Sequence, residues 1–165
     1  MTREFLSRLA SLTVVGLSIG ALTSALTPNY AIADQISFND PDIKATYATF
    51  PSPKGHDEGR GYLVKPTKID KALPAVLVVH ENRGLNPYIK DVARRVAKAG
   101  MVAFAPDALH PVGGYPGNDD EGRDMQRSLD QDALLNNFFA GFEHLQALEG
   151  TNGKVGATGF CYGGG

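Results

Sequence analysis

Ala75-Val76-Leu77-Val78-Val79 is apolar without a break. The run is too short for a buried helix and rich in β-branched residues. It suits a strand covered on both faces, as in a parallel sheet. Met101 to Ala105 repeats the pattern and is ended by Pro106. Between them, Asn86-Pro87 supplies an N-cap and a first-turn proline. Ile89, Val92, Ala93, Val96 and Ala97 then follow at helical spacing, and Gly100 closes the helix. A second helix is predicted over Asp132 to Leu148, with Leu134, Leu135, Phe138, Phe139, Phe142 and Leu145 on one face, read as core. Val155 to Phe160 is a third strand. Strand, helix, strand, helix, strand argues an α/β fold with a doubly wound, mostly parallel sheet.

The residues before this unit read differently. Ile43 to Phe50 alternates with a period of two, Pro51 to Gly55 turns, and Gly59 to Lys65 is a second strand. Together they predict an antiparallel hairpin at a sheet edge. Thr67 to Leu73 is a polar connection. Asp107 to Arg123, rich in Gly, Pro and Asp, reads as a long loop of the functional or mobile kind. Within it, Asp119-Asp120-Glu121 is taken as a solvated face, because its spacing is unlike a calcium loop.

Length and charge narrow the function classes. The chain has 165 residues, enough for one domain, and a net charge of -2 without basic clusters, so no nucleic-acid surface is expected. Cys161 is the single cysteine. An intrachain disulfide, a dithiol redox pair and a Cys-rich zinc site are therefore excluded, and no metal or cofactor is implied. Residues 1–33 have the order of an export signal: Arg3 and Arg8, a dilute apolar run from Leu9 to Leu26, then Ala31-Ile32-Ala33. Cleavage after Ala33 would leave residues 34–165 as an exported, periplasmic or extracellular domain. An uncleaved membrane tether is the alternative. Arg3-Glu4-Phe5-Leu6 also resembles part of a twin-arginine signal, with Thr2 in place of the first arginine.

Ligand sites in doubly wound sheets lie at the carboxyl ends of strands. Two polar clusters fall there, His80 to Gly84 and Gly159 to Gly163. Gly159-Phe160-Cys161-Tyr162-Gly163-Gly164 has the form of a nucleophile elbow. Small residues two before and two after the nucleophile admit a tight, strained turn that lifts the side chain above the sheet. The following N–H then faces a developing oxyanion. His80 is read as a hydrogen-bonded structural residue rather than a catalytic one. Asp107 is read as tying its own loop. Arg83 either pairs within the loop or meets an anionic substrate.

Val79-His80-Glu81-Asn82-Arg83-Gly84-Leu85, Ala105-Pro106-Asp107 and the Cys161 elbow occur in an order and spacing that resemble the dienelactone hydrolase family of α/β-hydrolases. The likeness runs from about Ile43 onward and includes the family's exported bacterial members. It implies an α/β-hydrolase fold and a cysteine nucleophile, Cys161, acting on ester or lactone bonds of a small molecule. It further implies that Glu81 contacts the thiol rather than standing as a solvated loop carboxylate. By the same resemblance the N–H groups of Tyr162 and Asn82 form the oxyanion hole.

Two departures from the family pattern stand out. The family's acid and general-base histidine come after the nucleophile, whereas His56, His80, His110 and His144 all precede Cys161 and the sequence stops at Gly165. The chain thus reads as a fold truncated after the elbow, expected to be poorly folded alone and without hydrolysis above a Cys161→Ala control. The loop after Pro106-Asp107 carries no arginine before Arg123, where the family places one for a substrate carboxylate. Three functions remain open: a cysteine ester or lactone hydrolase, a non-catalytic remnant, and a small-molecule binding domain.

Overall fold

The computed structural model describes residues 34–164. The export signal predicted for residues 1–33 lies outside the described residues. Five strands form one mixed sheet in the order β1-β2-β4-β3-β5. They are β1 (Ile43–Ser52), β2 (Asp57–Pro66), β3 (Leu73–Val79), β4 (Val102–Pro106) and β5 (Thr151–Gly159). β1 and β2 form the expected antiparallel hairpin at the edge, and β2 also runs antiparallel to β4. β4, β3 and β5 are mutually parallel. The apolar run of residues 75–79 is thus flanked by strands on both sides.

Period-two alternation splits the strand residues between two cores. Tyr62, Val64, Val78, Ala103 and Ala105 face α1 (Pro87–Lys98) and pack on its Ile89, Val92, Ala93 and Ala97. Leu63, Ala75, Leu77, Val102 and Phe104 face the other way, onto Leu145 of α3 (Gln131–Ala147) and onto Phe50 of β1. Each large side chain buried in this way contributes roughly 1.5–3 kcal/mol. Helices on both faces are what the doubly wound reading requires.

The helix ends follow from local chemistry. Asn86 caps α1 by accepting from the Ile89 N–H at 3.1 Å, and Pro87 opens the first turn. Gly100 just past the end has φ +89°, a conformation that glycine adopts without strain. α3 is capped by Asp130, whose carboxylate accepts from the Ala133 N–H.

Two expectations need correction. The segment from residue 107 to residue 123, expected as a long functional or mobile loop, instead contains a 3₁₀ turn (His110–Val112) and the start of helix α2 (Asp119–Ser128). Asn118 caps that helix through the Asp120 and Glu121 N–H groups. The acidic run is its first turn, where negative charge complements the helix dipole. The apolar face of α3 is also narrower than its sequence suggests. Leu134, Phe138 and Leu145 are buried, while Leu135 and Phe139 are 46% and 59% exposed. One residue of offset rotates a side chain by about 100°, and these two fall beyond the sheet's footprint. The remaining buried line is completed by Gly141 and Asn137. A Cβ at Gly141 would lie 2.8 Å from Pro106. Asn137 ties the hairpin turn to the helix through Ser52 and His56.

Candidate active site

Pairing of Val79 with Gly159 brings the ends of β3 and β5 level. The residues that follow, 80–84 and 160–164, therefore emerge side by side. The Phe160 N–H bonds back to the Val79 carbonyl at 3.3 Å, and the Gly163 N–H closes the turn onto the Phe160 carbonyl at 3.0 Å. Cys161 opens a short 3₁₀ turn (Cys161–Gly164) with φ +52°, a left-handed conformation that costs a non-glycine residue. Its thiol is exposed.

The two flanking glycines are required by contact rather than by dihedral angle. A Cβ on Gly159 would run into the carbonyl of Gly163, and a Cβ on Gly163 would sit 2.6 Å from the Val79 carbonyl oxygen. The turn is thus tight enough that backbone touches backbone on both sides of the cysteine.

The neighbouring loop is held from below and from the side. His80 is fully buried. Its Nδ1 lies 2.5 Å from the Glu81 carbonyl, which can only accept, and the Ala108 N–H donates to its Nε2 at 3.2 Å. These partners fix the neutral tautomer with the proton on Nδ1. Burial pushes its pKa down to about 4, only partly opposed by the Glu81 hydrogen bond. Both ring nitrogens are thus engaged by backbone groups, which leaves neither free to take a proton from Cys161. Its ring meets Phe138 edge-on at 5.3 Å, and Phe138 also packs against Tyr162.

Glu81 is anchored by one oxygen. Asn86 Nδ2 donates to its Oε1 at 2.9 Å, while Oε2 is out of solvent with no hydrogen-bond partner among the described residues. Asn86 therefore serves twice, capping α1 with its oxygen and fixing Glu81 with its nitrogen. The sequence shows the cap but not the second contact.

Arg83 pairs with Asp119 at 3.0 Å, and Tyr115 donates to the same carboxylate at 2.7 Å. Burial works against the Asp119 charge, but the bonds from Tyr115 and Arg83 outweigh it and hold its carboxyl below the usual range. Tyr115 is pushed up to about 12, by burial first and then by Asp119. α2 is thereby clasped to the Glu81 loop, and a Cβ on Gly122 would strike the Arg83 carbonyl. Of the two readings of Arg83, the structure shows the ion pair. Asp107 ties its own loop by accepting from the Leu109 N–H at 3.1 Å.

The other histidines are engaged elsewhere. His56 bonds Asn137, His110 faces Glu58 at 3.7 Å, and His144 stacks on Phe50. Among the described residues none hydrogen-bonds Cys161. A surface hollow of about 250 Å³ lies at the other end of the parallel strands, among Asp42, Pro66, Thr67 and Lys98, away from the elbow.

Residues 60–165 match the model of the "Dienelactone hydrolase family". "Putative hydrolase fragment YghX" of Escherichia coli (strain K12) is 66% identical over 110 residues, covering 67% of this chain and 94% of that protein. "Putative carboxymethylenebutenolidase" of Synechocystis sp. (strain ATCC 27184 / PCC 6803 / Kazusa) is 34% identical over 130 residues, covering 74% of this chain and 52% of that protein. Among solved structures, a dienelactone hydrolase-like promiscuous phosphotriesterase from metagenomic libraries superposes with a TM-score of 0.58 at 25% identity, covering 74% of this chain and 51% of that one. The chain thus spans about half the length of the carboxymethylenebutenolidase it matches.

Proposed function

This chain belongs to the dienelactone hydrolase family, with its α/β-hydrolase fold, and on that premise we propose that it carries the nucleophile of a cysteine hydrolase of small-molecule esters or lactones. The observation that carries the proposal is Cys161 at φ +52° between two glycines that admit no side chain. Strain of this kind is kept where it serves a mechanism. In the proposed reaction the Cys161 sulfur attacks the carbonyl carbon, and the carbonyl π-electrons move onto oxygen. The N–H groups of Tyr162 and Asn82 receive that oxyanion. Collapse expels the alcohol, which leaves with the proton given up by the thiol, and a thioester remains on Cys161. Water then hydrolyses the thioester to acid and free thiol.

Glu81 fits the role of thiol partner. Its Oε2 is desolvated and unsatisfied, and an S–H donor would relieve that cost. Arg83 is held by Asp119, so an anionic substrate would have to compete with a carboxylate already in place. That favours a neutral ester or lactone. The general base has no counterpart among the described histidines. We therefore propose that a polypeptide of this sequence alone reaches the thioester stage at most and does not turn over.

An activated aryl ester tests the reading. Mass spectrometry is expected to show one acyl group on Cys161, absent from Cys161→Ala, without steady release of acid. No acylation, together with a ligand-induced rise in melting temperature, would instead indicate a binding domain. We also propose export with processing after Ala33, on the order of charged, apolar and small residues in 1–33.

A further inference from the structure

The Glu81–Asn82 peptide contributes one of the two proposed oxyanion donors, and its orientation is set by His80. A trans peptide is planar, with its C=O and N–H pointing in opposite directions; none of the described peptides is cis. The Glu81 carbonyl points at His80 Nδ1, 2.5 Å away, and the His80 ring is buried beneath the loop. The Asn82 N–H therefore points away from that ring, and it has no acceptor among the described residues. His80 is itself fixed, because its other nitrogen accepts from the Ala108 N–H after β4. Its ring edge is also closed off by Phe138, the residue that packs on Tyr162.

Resting on the cysteine-hydrolase reading, we infer that His80 is a positioning residue: it locks the plane of the Glu81–Asn82 peptide and so aims the Asn82 N–H at the oxyanion formed when Cys161 is acylated. Without the ring, the peptide is free to rotate its N–H out of line. A donor that must reorganise at the moment of reaction loses much of its effect. Neutrality is part of the device. A protonated ring would no longer accept from Ala108, and burial keeps the ring neutral at ordinary pH.

Acylation and alkylation of the same thiol separate this role from a structural one. Attack on an aryl ester creates an oxyanion, whereas attack on iodoacetamide displaces iodide and creates none. Both rates are measured in single turnover at alkaline pH, where bulk hydroxide supplies the thiolate and no base from the protein is needed. The ratio of acylation to alkylation for the wild type is expected to exceed that of free cysteine. His80→Leu should lower it by at least about tenfold, less than the roughly 100- to 1,000-fold cost of deleting an oxyanion donor because the Asn82 N–H is misaimed rather than removed, with alkylation unchanged. His80→Gln, whose amide NH₂ can donate and whose carbonyl can accept, should restore most of the ratio. An unchanged ratio in a folded His80→Leu protein would overturn the inference while leaving the hydrolase reading intact. A wild-type ratio no higher than that of free cysteine would overturn the reading itself, and the inference with it. Should His80→Leu fail to fold, ¹⁵N spectra of the wild-type imidazole decide, since a proton on Nε2 instead of Nδ1 would refute the proposed lock.

Discussion

A single methyl group tests the elbow. At Gly163 it would press on the Val79 carbonyl at 2.6 Å, which belongs to the interior strand β3 and cannot swing aside as a side chain would. Gly163→Ala is expected to destabilise by more than about 1 kcal/mol and to suppress acylation of Cys161. Denaturant titration and the acylation assay together check this; a variant of unchanged stability would mean that the turn is looser than it looks. His80 makes a second prediction at this scale. Its pKa is about 4 in the folded protein and about 6.5 in an unfolded chain. Between those values the unfolded state binds the proton and the folded state does not. The contribution is thus present above pH 6.5 and is lost as pH falls through 4, by roughly 3 kcal/mol at most. His144 shifts the same way, and Asp107, raised by burial, shifts oppositely over the carboxylate range. The readout is therefore a difference: the stability gap between wild type and His80→Gln should shrink as pH drops from 6.5 to 4. A gap independent of pH would show that His80 titrates normally.

Among the elements, α1 and the loop before it depend on Asn86. Asn86→Ala removes the cap on Ile89 and the donor to Glu81. A lost cap costs typically about 1 kcal/mol, and an unsatisfied buried carboxylate oxygen adds to it. Asn86→Asp keeps the cap but sets two carboxylates against each other, so it should also destabilise, and more so at neutral than at acid pH. If Asn86→Asp equals wild type at neutral pH, the Glu81 contact is not formed. The sequence makes the cap legible because capping is local: Asn, Pro and an apolar rhythm lie within one turn. It hides the Glu81 bond, since nothing in the order of residues says which way the amide nitrogen points. The same division runs through the fold. Strands and α1 are written in unbroken or alternating apolar residues. α2 has no apolar stripe, and its signals, Asn118 and three acidic residues, look the same as a solvated loop. Leu135 and Phe139 mislead in the opposite sense, being apolar without a surface to cover. At the site, the glycines of the elbow announce a tight turn, but Tyr115, Asp119 and Arg83 meet only after residues 107–118 have folded back.

At the scale of the whole molecule, residues 34–36 form a strap on α1. The Ile36 N–H donates to Asp91 at 2.9 Å, Arg94 Nε donates to the Ile36 carbonyl at 2.6 Å, and the Arg94 guanidinium pairs with Asp34. Asp91 is fully buried and Arg94 nearly so. Their positions on a core-facing helix are tolerable because each finds partners in the other and in the strap. The expected processing site after Ala33 leaves every one of these contacts in place, whereas a chain starting at Ser37 would lose all three. Two proteins, beginning at Asp34 and at Ser37, should then differ by about 1–3 kcal/mol, the cost of stripping partners from a buried charged pair, and the shorter one should melt several degrees lower. Equal melting temperatures would show that Asp91 and Arg94 satisfy each other without the strap. Terminal sequencing of the protein from the cell envelope tests the processing itself. Asp34 as first residue is the expected outcome, and an intact Met1 in a soluble cytoplasmic fraction would overturn it.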